Sequence, residues 1–315
     1  MTFQIREHCP SCNGTTFTEL HRTAYNAPEM LSFLTAYYSA VPPGKHQEVL
    51  GDGVFSIVEC AGCGLIFQHQ LPSDDMLAEV YGNWLGKNDP LAPSKPPMPF
   101  DYYTYFAQEI MQLIVFLQKR HGRQRRLRFL DYGMGWGNWA VMAQAFGVDV
   151  SGVELSPTKA AFAESRGIKL LPPDQLPDNG FDFINTEQVV EHLSFPHETV
   201  MSLKNSLADG GILKISVPDG SDIKAVLRSW KWNDAMANRE KIMPLQPIEH
   251  LNCFTAPSLQ KFAEGCGLKP VSLPLGLVYA YSTDWSGTRA IAKNLLRPVK
   301  RFVLRKGCYG LFERN

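Results

Sequence analysis

The sequence predicts an α/β protein, a parallel sheet with helices on both faces, preceded by a small β-rich module. Three observations predict it. Strand-like and helix-like segments alternate from residue 100 to about 282, the pattern that builds βαβ units. Residues 1–70 instead carry two Cys-x-x-C pairs among short β-rich runs. Between them, NDPLAPSKPPMP (88–99) is too rich in proline for a helix or a central strand.

Taken in order, TTFTEL and GVFSIVEC read as strands of the 1–70 module, bounded by turn residues. LPSDDMLAEVYGNWL (71–85) opens with proline and aspartates, a helix start, so 71–99 reads as a linker with one short helix. A long apolar helix follows in FDYYTYFAQEIMQLIVFLQKRHG (100–122). Strands RFLDYG, VDVSGVEL, IKLL, FDFINTEQV and ILKISVP then alternate with helices NWAVMAQAFG, SPTKAAFAESRG and HETVMSLKNSLADGG, within a domain spanning 100–285. Near its end, LKPVSLPL and LVYAYST predict an antiparallel pair at the sheet edge. Residues 286–315 hold Arg289, Lys293, Arg297, Lys300, Arg301, Arg305, Lys306 and Arg314 against Glu313, with apolar residues interleaved. This basic amphipathic tail reads as a terminal helix docked by its apolar face, with weak membrane-surface or anionic-polymer contact as the other reading.

The 315 residues are 44% apolar and 11% aromatic, enough for a substantial core. Lys plus Arg equals Asp plus Glu at 31 each. With no global basic field, a nucleic-acid partner is not expected, and a charged ligand must be met locally. MTFQIREHCP lacks a signal-peptide core, and no stretch approaches the ~20 apolar residues that span a bilayer; the expected location is cytoplasmic. Composition sets no oligomeric state.

FLDYGMGWGNWA (129–140) places Gly133, Gly135 and Gly137 directly behind a strand. Gly135-x-Gly137-x-x-Ala140 fits the permissive dinucleotide fingerprint, in which a helix N-terminus receives a pyrophosphate. Asp131 argues otherwise, because an ionised carboxylate at the strand end repels phosphate and suits a cationic, hydroxyl-bearing ligand. S-adenosylmethionine is such a ligand, with a sulfonium, an ammonium and no phosphate. Glu154, closing the next strand in GVELSP, can take both hydroxyls of a ribose.

The ordered series DYGMGWG, GVELSP, LPDNGFDFINTEQVVEHL, LADGGILKISVPD and EHLNCFTAPSLQKFAEGCGL resembles the class I S-adenosylmethionine-dependent methyltransferases, in the branch with an E-H-x-x-x-F-[ST] segment. The resemblance covers about residues 100–282. It implies a Rossmann-like seven-stranded sheet with its last strand antiparallel and the cofactor across the carboxyl ends of the first four strands. Asp131, Gly133, Gly135 and Gly137 would then line the methionine and ribose portions, and Glu154 would hold the ribose. Asp174 would approach the adenine, with Gln175 and Asp178 as rivals, and Gln188 would face the sulfonium. Tyr102, Tyr103 and Tyr105 either cover the cofactor or pack on the core as a helical stripe.

Cys9 and Cys12 in CPSCNG and Cys60 and Cys63 in CAGCGL form two knuckles, each followed within two residues by a glycine. Two such turns complete a closed four-thiolate site, expected to hold structural Zn2+. A redox pair is the rival, but neither motif opens a helix after a strand. Cys253 and Cys266 read as packing residues. Some methyltransferases of nucleotide-linked sugars carry a similar N-terminal zinc module, as do some ribosomal-RNA methyltransferases.

A carbon or oxygen acceptor must lose a proton as it gains a methyl group, and the candidate bases lie in two Glu-His dipeptides. His250, with Glu249 beside it, falls where the segment after the fifth strand reaches the acceptor edge of such sheets. His192 is a third candidate, otherwise a brace near the cofactor. The sugar C-methyltransferases it resembles carry Tyr-x-Glu-His here, and Pro247 stands at the tyrosine position. Trp230, Trp232, Arg228, Lys231 and Arg239 in the insert 220–247 would suit a sugar nucleotide, or else anchor a surface helix. The expected function is methyl transfer to a small polar acceptor, a nucleotide-linked sugar or saccharide precursor. An RNA methyltransferase and a non-catalytic cofactor-binding scaffold are the alternatives.

Overall fold

The computed structural model describes residues 3–42, 44–84, 99–122, 125–280, 287–296 and 308–315. Its strands are β1 (Phe3–Ile5), β2 (Phe17–Ala24), β3 (Val54–Cys60), β4 (Ile66–Gln68), β5 (Gln70–Pro72), β6 (Arg128–Tyr132), β7 (Asp149–Val153), β8 (Lys169–Leu170), β9 (Phe181–Glu187), β10 (Leu207–Val217), β11 (Asn252–Cys253), β12 (Leu268–Pro270) and β13 (Cys308–Arg314). The chain forms two compact units, one of Met1–Asp89, Gln188–Glu198 and Val217–Gly265, the other of Pro90–Glu187, Thr199–Ser216 and Cys266–Asn315. No described helix is long and apolar enough to cross a membrane.

The second unit is built on a seven-stranded sheet of order β12-β13-β10-β9-β6-β7-β8. Strands β10, β9, β6, β7 and β8 pair in parallel, and β12 pairs antiparallel with β13. The chain builds outward from β6 to β8, then returns to the other side of β6 with β9. That reversal opens a crevice at the carboxyl ends of β6 and β9, the position where open α/β sheets bind ligands. The helix Phe100–His121 shows why the sequence reads as it does: Phe106, Ile110, Leu113 and Leu117 fall on one buried face. Its last turn holds Lys119, Arg120 and His121, which suit the negative end of the helix dipole, and Gly122 ends it at φ 92°. The same face buries Glu109, whose carboxylate meets Lys214 of β10 at 2.7 Å. Lys214 is fully buried and also meets Glu187 at 2.7 Å.

The first unit combines a four-stranded sheet, order β11-β4-β3-β2, with the β1–β5 pair. All the strand pairings of these two sheets are antiparallel. The stretch between the cysteine pairs supplies helices Pro28–Tyr37 and Lys45–Leu50, which bury Met30, Phe33, Leu34, Val49 and Leu50 in this unit's core. Ser73 caps the short helix Asp74–Glu79, accepting from the Met76 amide, and a π-turn over Val80–Trp84 continues it.

Three expectations change. The units cross the expected limits of 1–70, 71–99 and 100–285, because β11 of the E-H-x-x-x-F segment pairs with β4 of the cysteine module. The antiparallel partner of β12 is not 277–283 but the chain's last strand, β13, while Leu275–Tyr279 is a short helix. The 286–315 segment is therefore not all tail: Gly287–Leu295 is helical and Cys308–Arg314 belongs to the sheet. The basic positions 297–307 and the linker positions 85–98 lie outside the described residues.

Candidate functional site

Among the described residues, the second unit carries one cluster of chemistry-bearing side chains and the first unit carries two. In the second unit, the turn after β6 has Gly133, Gly135 and Gly137 at φ 72°, 56° and 69°. All three occupy the left-handed region, which penalises a Cβ, so local geometry alone explains their identity. The Gly133 and Met134 amides bond to the Val153 carbonyl at 2.9 and 3.0 Å, docking the turn on the end of β7. Gly137 then starts the helix Asn138–Ala145.

Asp131 is buried at the end of β6. Its Oδ1 accepts from Asn185 Nδ2 of β9 at 2.8 Å, across the paired register Asp131↔Asn185. Its Oδ2 is buried without a hydrogen-bond partner. Burial pushes its pKa up to about 7, against the Asn185 hydrogen bond and the charge of Lys214. The Ala140 amide also lowers it, and a cation or donor brought to Oδ2 would lower it further. Glu154 is held differently: Gly135 N–H and Ser156 N–H each donate to one of its oxygens at 2.8 Å. Two amides leave roughly half of its about four acceptor sites for a vicinal diol. Glu187, at the end of β9, is braced by Lys214 and by Ser216 Oγ at 2.8 Å. The Tyr102 hydroxyl lies within the influence of Asp131 and Glu187, and Tyr103 and Tyr105 are exposed. Asp174 is exposed in the loop after β8, as are Gln175 and Asp178, so burial does not separate these rivals.

In the first unit the four cysteines converge. Cys9 Sγ lies 3.6 Å from Cys63 Sγ, Cys12 Sγ 3.5 Å from Cys60 Sγ, and all four fall within 4.8 Å. A tetrahedron with metal–sulfur bonds of about 2.3 Å has edges near 3.8 Å, so the thiolates fit zinc. The two knuckles repeat one turn: Asn13 N–H bonds to Cys9 O and Gly64 N–H to Cys60 O, with φ 61° at Asn13 and 78° at Gly64. Asn13, rather than Gly14, thus matches Gly64.

The same unit brings His192, His250 and Glu249 together. The His192 and His250 rings meet edge to face at 4.6 Å. His192 Nδ1 lies 3.0 Å from the Glu249 carbonyl and 2.9 Å from the Tyr81 hydroxyl. A carbonyl only accepts, so Nδ1 carries a proton, while Nε2 lies 3.7 Å from Glu191 Oε1. His250 is buried, and Nδ1 has no hydrogen-bond partner. Burial, then the neighbouring His192, pushes its pKa down to about 3. The expectation that Glu249 poises His250 near neutrality fails, because Glu249 directs its carboxylate to the Tyr38 hydroxyl at 2.7 Å. Burial raises Glu249 to about 7, opposed by that bond. Gln188 leaves β9 at φ 56°, exposed. Trp232 is a core residue donating to Thr23 Oγ1 at 3.1 Å, and Cys253 and Cys266 are buried as expected.

Tyr38, Tyr81, Asn185 and Glu187 were not legible as site residues. Tyr81 lies in the π-turn Val80–Trp84.

A seven-stranded, mostly parallel sheet with a glycine turn and two carboxylates at its switch point has the Rossmann-like fold of the class I methyltransferases. A methyltransferase-domain family model matches residues 102–273, more than half of the chain, and the chain belongs to that family. It is an S-adenosylmethionine-dependent methyltransferase. No curated protein matches it. Among solved structures it is similar to an S-adenosylmethionine-dependent methyltransferase from Mesorhizobium loti, at 17% identity over 63% of this chain and 94% of that one, TM-score 0.39. It is also similar to the plantazolicin methyltransferase BamL, solved with a triazolic desmethylPZN analog and SAH, at 14% identity over 66% and 83%, TM-score 0.43. The [4+2]-cyclase SpnF matches at 17% identity over 64% and 80%, TM-score 0.40.

Proposed function

We propose that the enzyme methylates carbon or oxygen of a small polar acceptor, a nucleotide-linked sugar or saccharide precursor, with His250 as the base and zinc held by Cys9, Cys12, Cys60 and Cys63. The observation that carries this reading is the buried imidazole pair, one member of which has an unpartnered nitrogen. When bound, the cofactor supplies an electrophilic methyl group on a sulfonium. Asp131 offers its uncompensated oxygen to the cationic end, and Glu154 offers two acceptors to the ribose. Asp174 and Gln188 remain candidates for the adenine and sulfonium.

His250 is neutral at pH 7 with an unpartnered Nδ1 lone pair, and for it to take the acceptor's proton a bound ligand must raise its basicity from the value of about 3 that burial imposes. Glu249, near half-ionised at neutral pH and bonded to Tyr38, can receive or release a proton beside the pair. The balanced charge of the chain agrees with a small acceptor.

The test is transfer of labelled methyl from the cofactor to a panel of nucleotide-linked sugars and free saccharides. His250→Ala is expected to lower turnover by about 10²- to 10⁴-fold while leaving S-adenosylhomocysteine affinity unchanged. Wild-type turnover in that variant sinks the base assignment, and label accumulating only in RNA sinks the small acceptor.

A further inference from the structure

Arg6 is a buried cation whose partners are all neutral oxygens. Its NH1 donates to the Leu251 carbonyl at 3.2 Å and to Asn252 Oδ1 at 3.0 Å, and its NH2 donates to the Ser194 carbonyl at 2.8 Å. Its face lies over the Phe67 ring, 5.5 Å from the centroid. Burying a guanidinium costs several kcal/mol unless charge and hydrogen bonds compensate. The charge that acts on Arg6 is that of Cys9, three residues along the chain. Four thiolates around one divalent metal carry a net charge of about −2, so a loaded site supplies the missing counter-charge.

The partners of Arg6 lead to both histidines. Ser194 lies just beyond the turn Val190–His192. Asn252 Nδ2 donates to the Val190 carbonyl at 3.2 Å and the Leu193 carbonyl at 2.7 Å, holding that turn from both ends. Leu251 follows His250 directly, and the His250 carbonyl accepts from Gln68 Nε2 at 3.0 Å. Gln68 ends β4, whose hairpin with β3 carries the Cys60–Cys63 knuckle, and β4 pairs with β11 at Asn252↔Phe67. Each knuckle is therefore linked to the histidines, the first through Arg6 and the second through β4.

We propose that Arg6 is a positioning residue that couples metal loading of the cysteine knuckles to the geometry of the His192–His250 pair. This rests on the zinc reading above. The zinc is thus part of the acceptor-side machinery, rather than a staple for a separate module.

The test follows the His192 Nδ1–H resonance, which its bond to the Glu249 carbonyl protects from exchange. Zinc content and S-adenosylhomocysteine affinity are measured on the same samples. In wild type, chelation is expected to abolish that resonance and leave cofactor affinity within twofold. Arg6→Met is expected to lose it with zinc retained, and Arg6→Lys to recover part of it. Arg6→Met with zinc bound and an unchanged resonance overturns the proposal. Should that variant not fold, chelated wild type with an unchanged resonance overturns it equally. Wild type purified without zinc instead overturns the zinc reading.

Discussion

Replacing Asp131 with Asn tests the cofactor site through a group whose environment is fully specified. Oδ1 is satisfied by Asn185, and Oδ2 is buried with no partner. The carboxyl therefore resists ionisation, and its pKa rises from 3.8 to about 7. Because the folded value lies above the unfolded one, the native state holds more protons than the unfolded chain between pH 4 and 7. Stability of the free enzyme should fall as pH rises through that window and level off above it. The rise corresponds to at most about 4 kcal/mol. Asp131→Asn removes the ionisation, so its denaturation midpoint at pH 8 should exceed that of wild type, and its stability should lose this pH dependence. A cationic ligand favours the ionised carboxylate, so S-adenosylhomocysteine, through its ammonium, should bind wild type about tenfold more tightly at pH 8 than at pH 6. The variant should show no such slope in titration calorimetry. A variant that keeps both the wild-type stability profile and the wild-type slope would refute the placement of Asp131 against the ligand's charge.

Other consequences are equally direct. Lys214→Met leaves Glu109 and Glu187 without their shared cation, and removing one member of a buried ion set costs about 3–5 kcal/mol, readable by urea denaturation. Tyr38→Phe removes a hydrogen bond that lowers the Glu249 pKa, so the Glu249 carboxyl should titrate above 7 by carbon-detected NMR, where an unchanged value would show that the bond is not formed in solution. The same variant should lose roughly 1–3 kcal/mol of stability at pH 8, where the carboxylate is ionised.

The residues of the proposed cofactor site stand out in the sequence for a physical reason. A strand end, three left-handed glycines and an acid on the next strand are local, and each residue type is dictated by backbone conformation or by charge. The four cysteines were legible on the same ground, since a Cys-x-x-C turn aims both sulfurs at one point. The acceptor half was legible only as two Glu-His dipeptides. What these groups do depends on residues far away in the chain: Tyr38 bonds Glu249, Tyr81 bonds His192, and Arg6 reaches Ser194 and Asn252. No periodicity encodes such pairings. The unit boundaries were missed for the same reason, because the pairing of Asn252 with Phe67 is invisible until the sheet forms. The last strand escaped notice because basic residues dominate the segment before it. CYGLFER itself inserts between β12 and β10.

The central claim is that the glycine turn and its two acids form a methyl-donor site. It is tested most directly by titrating S-adenosylhomocysteine into wild type and Gly137→Ala. At φ 69° an added Cβ is strained, and it would also meet Ala163 Cβ at 3.0 Å. The account predicts one-to-one binding to wild type and a loss of roughly tenfold or more in the variant, because a free turn that relaxes to relieve about 1–2 kcal/mol of left-handed strain must be returned to the strained geometry when the ligand binds. Folded wild type that binds no S-adenosylhomocysteine, or a variant that binds it as tightly, would contradict it.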